Sequence, residues 1–250
     1  MTKIIAISGK GGTGKTMFST LLVKALSKKT HNMLVVDADP DSNLPETLGV
    51  EVERTIGDIR EELKQLVADD KLPSGISKQD YLLGRIYEIM VETENFDLLV
   101  MGRPEGSGCY CSVNNWLRQI IDNLAKSYDY VVIDTEAGLE HLSRRTTQNV
   151  DTMIVVSDAS KRGLGTAKRI KKLANDLEIK FKDICVVANK VNDETKDIVE
   201  KNAEELGLNL IGKLPYNEEI SKYDLVGKPL FDIDENNEVY KKVEEIAKSL

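Results

Sequence analysis

The stretch Lys3-Ile4-Ile5-Ala6-Ile7-Ser8-Gly9-Lys10-Gly11-Gly12-Thr13-Gly14-Lys15-Thr16 decides the fold. Its first half, Lys3–Ser8, is a short apolar run ending in a turn signal, the pattern of a buried strand. Its second half satisfies the spacing G-x-x-x-x-G-K-[ST], and the residues from about Lys15 to Lys28 carry helical spacing. Strand, glycine loop and helix in that order form a cradle for phosphate. The glycines let successive N–H groups turn inward, Lys15 reaches the β/γ oxygens, and the Thr16 hydroxyl is placed to ligate Mg²⁺. The helix N-terminus adds a favourable field for an anion. Gly9, Lys10, Gly11, Gly12, Thr13, Gly14, Lys15 and Thr16, with Met17 directly behind them, are the expected phosphate-side contacts.

Working outward, Val- and Ile-rich runs alternate with helical stretches to the end of the chain. Met33–Asp37, Phe96–Met101, Tyr130–Asp134, Thr152–Ser157, Ile184–Asn189 and Leu208–Leu214 read as further strands. Helices are expected over about Thr55–Val67, Asn114–Lys126, Ser160–Leu177, Glu194–Leu206 and Glu238–Leu250, and a polar surface excursion over Asp69–Gln79. Near-continuous apolar strands separated by helices predict an α/β fold with a mostly parallel sheet covered by helices on both faces. With no internal repeat or long linker, residues 1–250 are expected to form a single P-loop NTPase domain. Its ligand belongs at the carboxyl ends of the strands.

Composition narrows the setting. A net charge of -8 argues against broad nucleic-acid binding, which needs a basic face to release counterions. No run of about 18 apolar residues is present, so no membrane span is expected. The first residues pass straight into a strand, leaving no room for a signal peptide, and three cysteines are too few for a disulfide framework. Together these predict a cytoplasmic protein with reduced thiols.

Carboxylates stand where the strands end. Asp37, Asp39 and Asp134 face the phosphate loop and are placed to hold Mg²⁺, directly or through water, and to orient an attacking water. Asn189-Lys190-Val191-Asn192 ends another strand and resembles the Asn-Lys-x-Asp loop of guanine-specific NTPases. An amide at Asn192 cannot accept guanine's paired donors as a carboxylate does, so adenine is preferred. Asn189 and Lys190 then form one wall of the base pocket and Pro215, followed by Tyr216, the other.

Cys109-Tyr110-Cys111 lies in a glycine-rich loop after the run Phe96–Met101. Two thiolates are too few to close a metal's shell, but two chains about a dyad supply four. That set suits Ni²⁺, Zn²⁺ or an iron–sulfur cluster. Cys185, in an apolar strand, reads as core packing. The segment after Tyr130–Asp134 and the thiol loop are expected to follow neighbouring strands, so that both feel the γ-phosphate.

Lys10 makes the phosphate loop resemble the deviant Walker A sequence of the family that includes nitrogenase iron protein, the Min and Par ATPases and the arsenite-pump ATPases. The resemblance implies a homodimer that sandwiches ATP, with Lys10 reaching the nucleotide of the opposite subunit. It also implies that Asp134-Thr135-Glu136-Ala137-Gly138 is switch II, with Asp134 as the Walker B residue, and that Asp39 activates water. Lys10, Lys15 and Asp39 are thus the catalytic set, and Thr16, Asp37 and Asp134 the Mg²⁺ set. Within the family, the mid-chain Cys-x-Cys resembles the CooC branch, nickel-insertion ATPases of carbon monoxide dehydrogenase maturation. That resemblance implies ATP/ADP, Mg²⁺ and Ni²⁺ as ligands, Zn²⁺ as a substitute, and apo carbon monoxide dehydrogenase as client. From the charge, the lack of an apolar span and the modest apolar bulk of the last helix, no nucleic-acid or membrane partner is expected. Two rival readings are a spatial-organisation ATPase of Par or Min type and an iron–sulfur carrier or reductase.

Overall fold

Each apolar run becomes a strand because its side chains alternate between two cores, one on either side of the sheet. The computed structural model describes residues 2–103, 119–135, 149–176 and 180–250. In chain order these form β1 (Lys3–Gly9), α1 (Lys15–Ser27), β2 (Met33–Ala38), α2 (Leu44–Leu48), α3 (Ile56–Ala68), α4 (Lys78–Ile89), β3 (Val91–Glu92) and β4 (Asp97–Val100). After α5, a helix described over residues 119–125, come β5 (Tyr130–Thr135), β6 (Asn149–Asp158), α6 (Lys161–Asp176), β7 (Lys180–Val191), α7 (Lys196–Glu205), β8 (Asn209–Pro215), α8 (Glu218–Val226) and α9 (Glu238–Ser249). The sheet has the order β3-β4-β2-β5-β1-β6-β7-β8, parallel throughout except for the short β3 against β4. The expected α/β architecture, mostly parallel and doubly covered, is the one observed.

Period-two alternation assigns the layers. Ile5 and Ile7 of β1, with Ile154 and Val156 of β6, face the core beneath α1, α2 and α9. Ala6, Met153 and Val155 face the opposite core, covered by α3 to α7. Helix α1 is buried along most of its length, and α9 closes over it with Val239, Tyr240, Val243 and Ile246. Asn237 caps α9 by accepting from the N–H groups of Val239 and Tyr240. The apolar side of the last helix is therefore spent on α1 and β8 and is not free for a lipid surface. No described helix is long and apolar enough to cross a membrane.

Strand order corrects one sequence expectation. β4, which leads toward the thiol loop, and β5, which leads into switch II, are not neighbours, because β2 lies between them. The exit of β4 is tied to β2 instead: Met101 N–H donates to Asp37 O at 2.8 Å. Adjacent apolar strands read alike in sequence, and only the crossover pattern distinguishes their order.

Four elements have no counterpart in the sequence reading: α2, α4, β3 and α8. Helix α4 begins at Lys78 behind a Ser77 cap that accepts from Asp80 N–H. It is pinned to α3 by Glu62, which pairs with Arg54 and Arg85 and accepts from the Tyr81 hydroxyl.

Candidate functional site

The phosphate loop bridges the centre of the sheet and the buried helix α1, and at two of its glycines, Gly9 and Gly14, a side chain would not fit. A Cβ on Gly9 would lie 2.2 Å from the Val156 carbonyl oxygen on β6. Gly14 has φ 92°, the left-handed region, and a Cβ there would meet Asn189 Nδ2 at 2.4 Å. The loop is also held by polar contacts. Thr13 Oγ1 donates to Lys10 O at 2.7 Å, and Asn189 Nδ2 donates to Thr13 O at 2.8 Å.

The loop opens on a cavity of about 600 Å³, large enough for a nucleotide. Of the residues expected from sequence, Gly11, Gly12, Gly14, Lys15, Thr16, Met17, Asp39, Asn189, Lys190 and Pro215 line it. Gly9, Lys10, Thr13, Asp37 and Asp134 do not form its wall. Gly9 and Thr13 are buried, whereas Lys10 is exposed. Asp37 and Asp134 are buried near the carboxyl ends of β2 and β5.

Those two carboxylates stand side by side, in register on the adjacent strands β2 and β5. Burial is the main force on Asp37, with Asp134 beside it adding repulsion; together they push its carboxyl up to about 7. Hydrogen bonds oppose this: Asp39 N–H donates to Asp37 Oδ1 at 3.0 Å and Leu44 N–H to Oδ2 at 3.2 Å. Burial likewise raises Asp134 to about 6, against the pull of the nearby Thr16 and Ser19 hydroxyls and of Lys15. Asp134 Oδ1 nevertheless has no partner of good geometry among the described residues. A buried carboxylate oxygen without a donor, beside Thr16 and a lysine, has the chemistry of a divalent-cation site.

On the base side, Asn189 does more than the sequence indicates. It is 3% exposed, its Nδ2 braces the phosphate loop, and its Oδ1 accepts from Lys190 N–H at 2.9 Å. Lys190 has φ 57°, at an irregularity in the β7–β8 pairing, and lines the cavity. Asn192 is engaged locally, accepting from Thr195 N–H at 2.9 Å.

Two walls are not evident from the sequence. Asn43, Glu46 and Thr47 of α2 and its cap line the cavity, and so do Ile220, Tyr223 and Asp224 of α8. Signals for α8 exist in Asn217 as a cap, Glu218 and Glu219 in the first turn, Gly227 as the stop and Pro229 beyond it. The helix is hard to read because its apolar stripe is short.

Cys109 and Cys111 lie outside the described residues, as do Glu136, Ala137 and Gly138 of the expected switch II. Among the described residues no group of three or more His, Cys, Asp or Glu side chains is placed to hold a metal ion. Cys185 is 6% exposed in β7, in agreement with its reading as core. At the exit of β4, Arg103 pairs with Asp41 at 3.3 Å, and Asp41 lines the cavity.

The sequence profile of the CobQ/CobB/MinD/ParA nucleotide binding domain matches residues 4–230. The chain belongs to this family. An uncharacterized ATP-binding protein of Methanocaldococcus jannaschii is 76% identical over 247 residues, spanning 99% of this chain and 98% of the relative. The carbon monoxide dehydrogenase accessory protein CooC of Rhodospirillum rubrum is 33% identical over 239 residues, spanning 92% and 89%. Among solved structures, the septum site-determining protein MinD of Pyrococcus horikoshii, complexed with Mg-ADP, superposes with a TM-score of 0.69. It is 22% identical, over 100% of this chain and 96% of that one, which is a likeness of fold. As a member of the MinD/ParA family, this protein is a P-loop ATP-binding protein.

Proposed function

We propose that residues 1–250 form one ATPase domain that acts as a cytoplasmic homodimer and carries nickel to apo carbon monoxide dehydrogenase. The observation that carries this reading is the pairing of Cys109-x-Cys111 with a phosphate loop that includes Lys10, in a chain similar to CooC along nearly its whole length. The fold adds a physical link. Just before the thiol segment in sequence, Met101 N–H donates to Asp37 O and Arg103 pairs with Asp41 in the cavity wall. A change in the Asp37–Asp41 turn on loss of the γ-phosphate would therefore reach the thiol segment through β2, the strand beside β4.

For hydrolysis, the backbone N–H groups of Gly11–Gly14 and the Lys15 ammonium hold the β/γ-phosphates. Asp39, half-exposed at the cavity edge, orients the attacking water. Lys10, which is exposed, stabilises the transferring phosphoryl group of the opposite subunit once two chains close. Thr16, Asp134 and Asp37 fit Mg²⁺, which when bound neutralises phosphate-oxygen charge. Asn189 holds the loop and retains one N–H toward adenine, with Pro215 opposite. Nickel is cargo: two Cys109/Cys111 pairs about the dyad supply four thiolates, a set that Zn²⁺ can also occupy.

ATP turnover with and without Ni²⁺ tests the reading. Nickel should change turnover and dimer fraction in the wild type and leave a Cys109→Ser/Cys111→Ser variant unaffected. A turnover indifferent to nickel in the wild type counts against metal delivery.

A further inference from the structure

Helices α6 and α7 follow β6 and β7, lie side by side on one face of the sheet, and run in the same direction. Their outer surfaces carry opposite charge. Helix α6 holds six basic residues and one acidic residue, and Lys161, Arg162, Lys168, Arg169 and Lys172 are exposed while Leu164, Ala167 and Ile170 face the core. The segment 193–205 holds six acidic residues and two basic ones. On α7, Asp197, Glu204 and Glu205 are exposed beside Ile198, which is 56% exposed, while Val199 and Ala203 are buried.

Neighbouring rows of opposite sign would be expected to neutralise each other, yet they do not. Among the described residues, none of those five cations and none of the three acids makes an ion pair within the chain. Glu200 turns away to Lys213, and Lys171 donates instead to Gly207 O at 3.1 Å.

We infer that this face is an interface between two copies of the chain, separate from the nucleotide cavity and independent of ATP. A two-fold axis parallel to the helices and running between them lays α6 of one copy on α7 of the other, and the reverse, so every contact occurs twice. Both charged rows are then satisfied and Ile198 is covered. The helices are ~24 Å and ~15 Å long and each about 10 Å wide, which gives roughly 400 Å² per copy. That is small for a protein interface and implies weak, salt-sensitive association. A nucleic acid would find the α6 row but meet the α7 acids about one Debye length away, so a copy of the same chain is the better complement.

The test is sedimentation velocity on nucleotide-free protein at high concentration, in about 50 mM and about 500 mM salt. Wild type should dimerise at low salt and dissociate at high salt. Arg169→Glu/Lys172→Glu should abolish the dimer, and adding Glu204→Lys/Glu205→Lys should restore it. ATP binding should be unchanged in both variants, since none of these residues lines the cavity, which also confirms folding. A wild type that stays monomeric at low salt overturns the inference, as does a dimer indifferent to the first pair of substitutions or a charge swap that fails to restore it. Binding of a DNA duplex by the monomeric wild type, lost with Arg169→Glu/Lys172→Glu, would assign the α6 row to a polyanion instead.

Discussion

The two sides of the nucleotide cavity are built differently. The phosphate side is held before any ligand arrives: glycines pack against Val156 and Asn189, the Thr13 carbonyl accepts from Asn189, and α1 behind it is buried. The α8 side has no buried residue at all, and Leu225 and Val226 on it are 85% and 71% exposed. Ile220 and Tyr223 face the cavity with only partial packing against the core beneath α1. One wall is set by packing; the other is left largely unpacked. Local stability should differ accordingly.

The contrast breaks first at the phosphate side. Lys15→Ala removes the charge aimed at the β/γ oxygens and should weaken ATP binding about 100-fold or more by calorimetry. Near the same loop, Asp37 and Asp134 form a buried acidic pair. The Asp37 carboxyl is held at about 7 when folded, against an ordinary aspartate value of 3.8, so the folded state binds its proton more tightly. Its contribution is harmless below pH 3.8 and becomes a growing penalty as pH rises toward 7. Asp37→Asn should therefore stabilise the nucleotide-free protein by about 2 kcal/mol at pH 8 and by less at pH 5, read by thermal melts. A stabilisation equal at both pH values would contradict the buried-charge account.

Asn189→Ala comes next. It leaves the Thr13 carbonyl without its donor and should cost about 10-fold in ATP affinity while the fold persists. The smallest effect belongs to the other wall. Tyr223→Ala should lower affinity only a few-fold, and hydrogen exchange over Glu218–Val226 should slow on adding ATP far more than over Lys15–Ser27. Equal slowing in both segments would erase the distinction between the walls.

This same contrast explains what the sequence discloses. The phosphate loop is legible because its function demands particular residues at fixed spacing, and the strands because a sheet covered on both faces needs long apolar runs. Asn189 is legible as a site residue but not as a brace, since its bond to Thr13 joins residues 176 positions apart. Helix α8 is hidden because it buries nothing, so no strong periodic stripe marks it. The placement of β2 between β4 and β5 is hidden because strand order depends on crossovers between runs of similar composition. Its consequence is that the end of β4, through Met101 and Arg103, is tied to Asp37 and Asp41 at the end of β2 and not to β5.

The most direct measurement is anaerobic titration of the reduced protein with Ni²⁺, followed by thiolate-to-metal charge-transfer absorbance and by molecular mass, with and without ADP or ATP. One ion per dimer, lost in Cys109→Ala/Cys111→Ala and with an affinity that changes on ATP hydrolysis, is the expected result. ATP-driven dimers that bind no nickel would contradict the metal-delivery account.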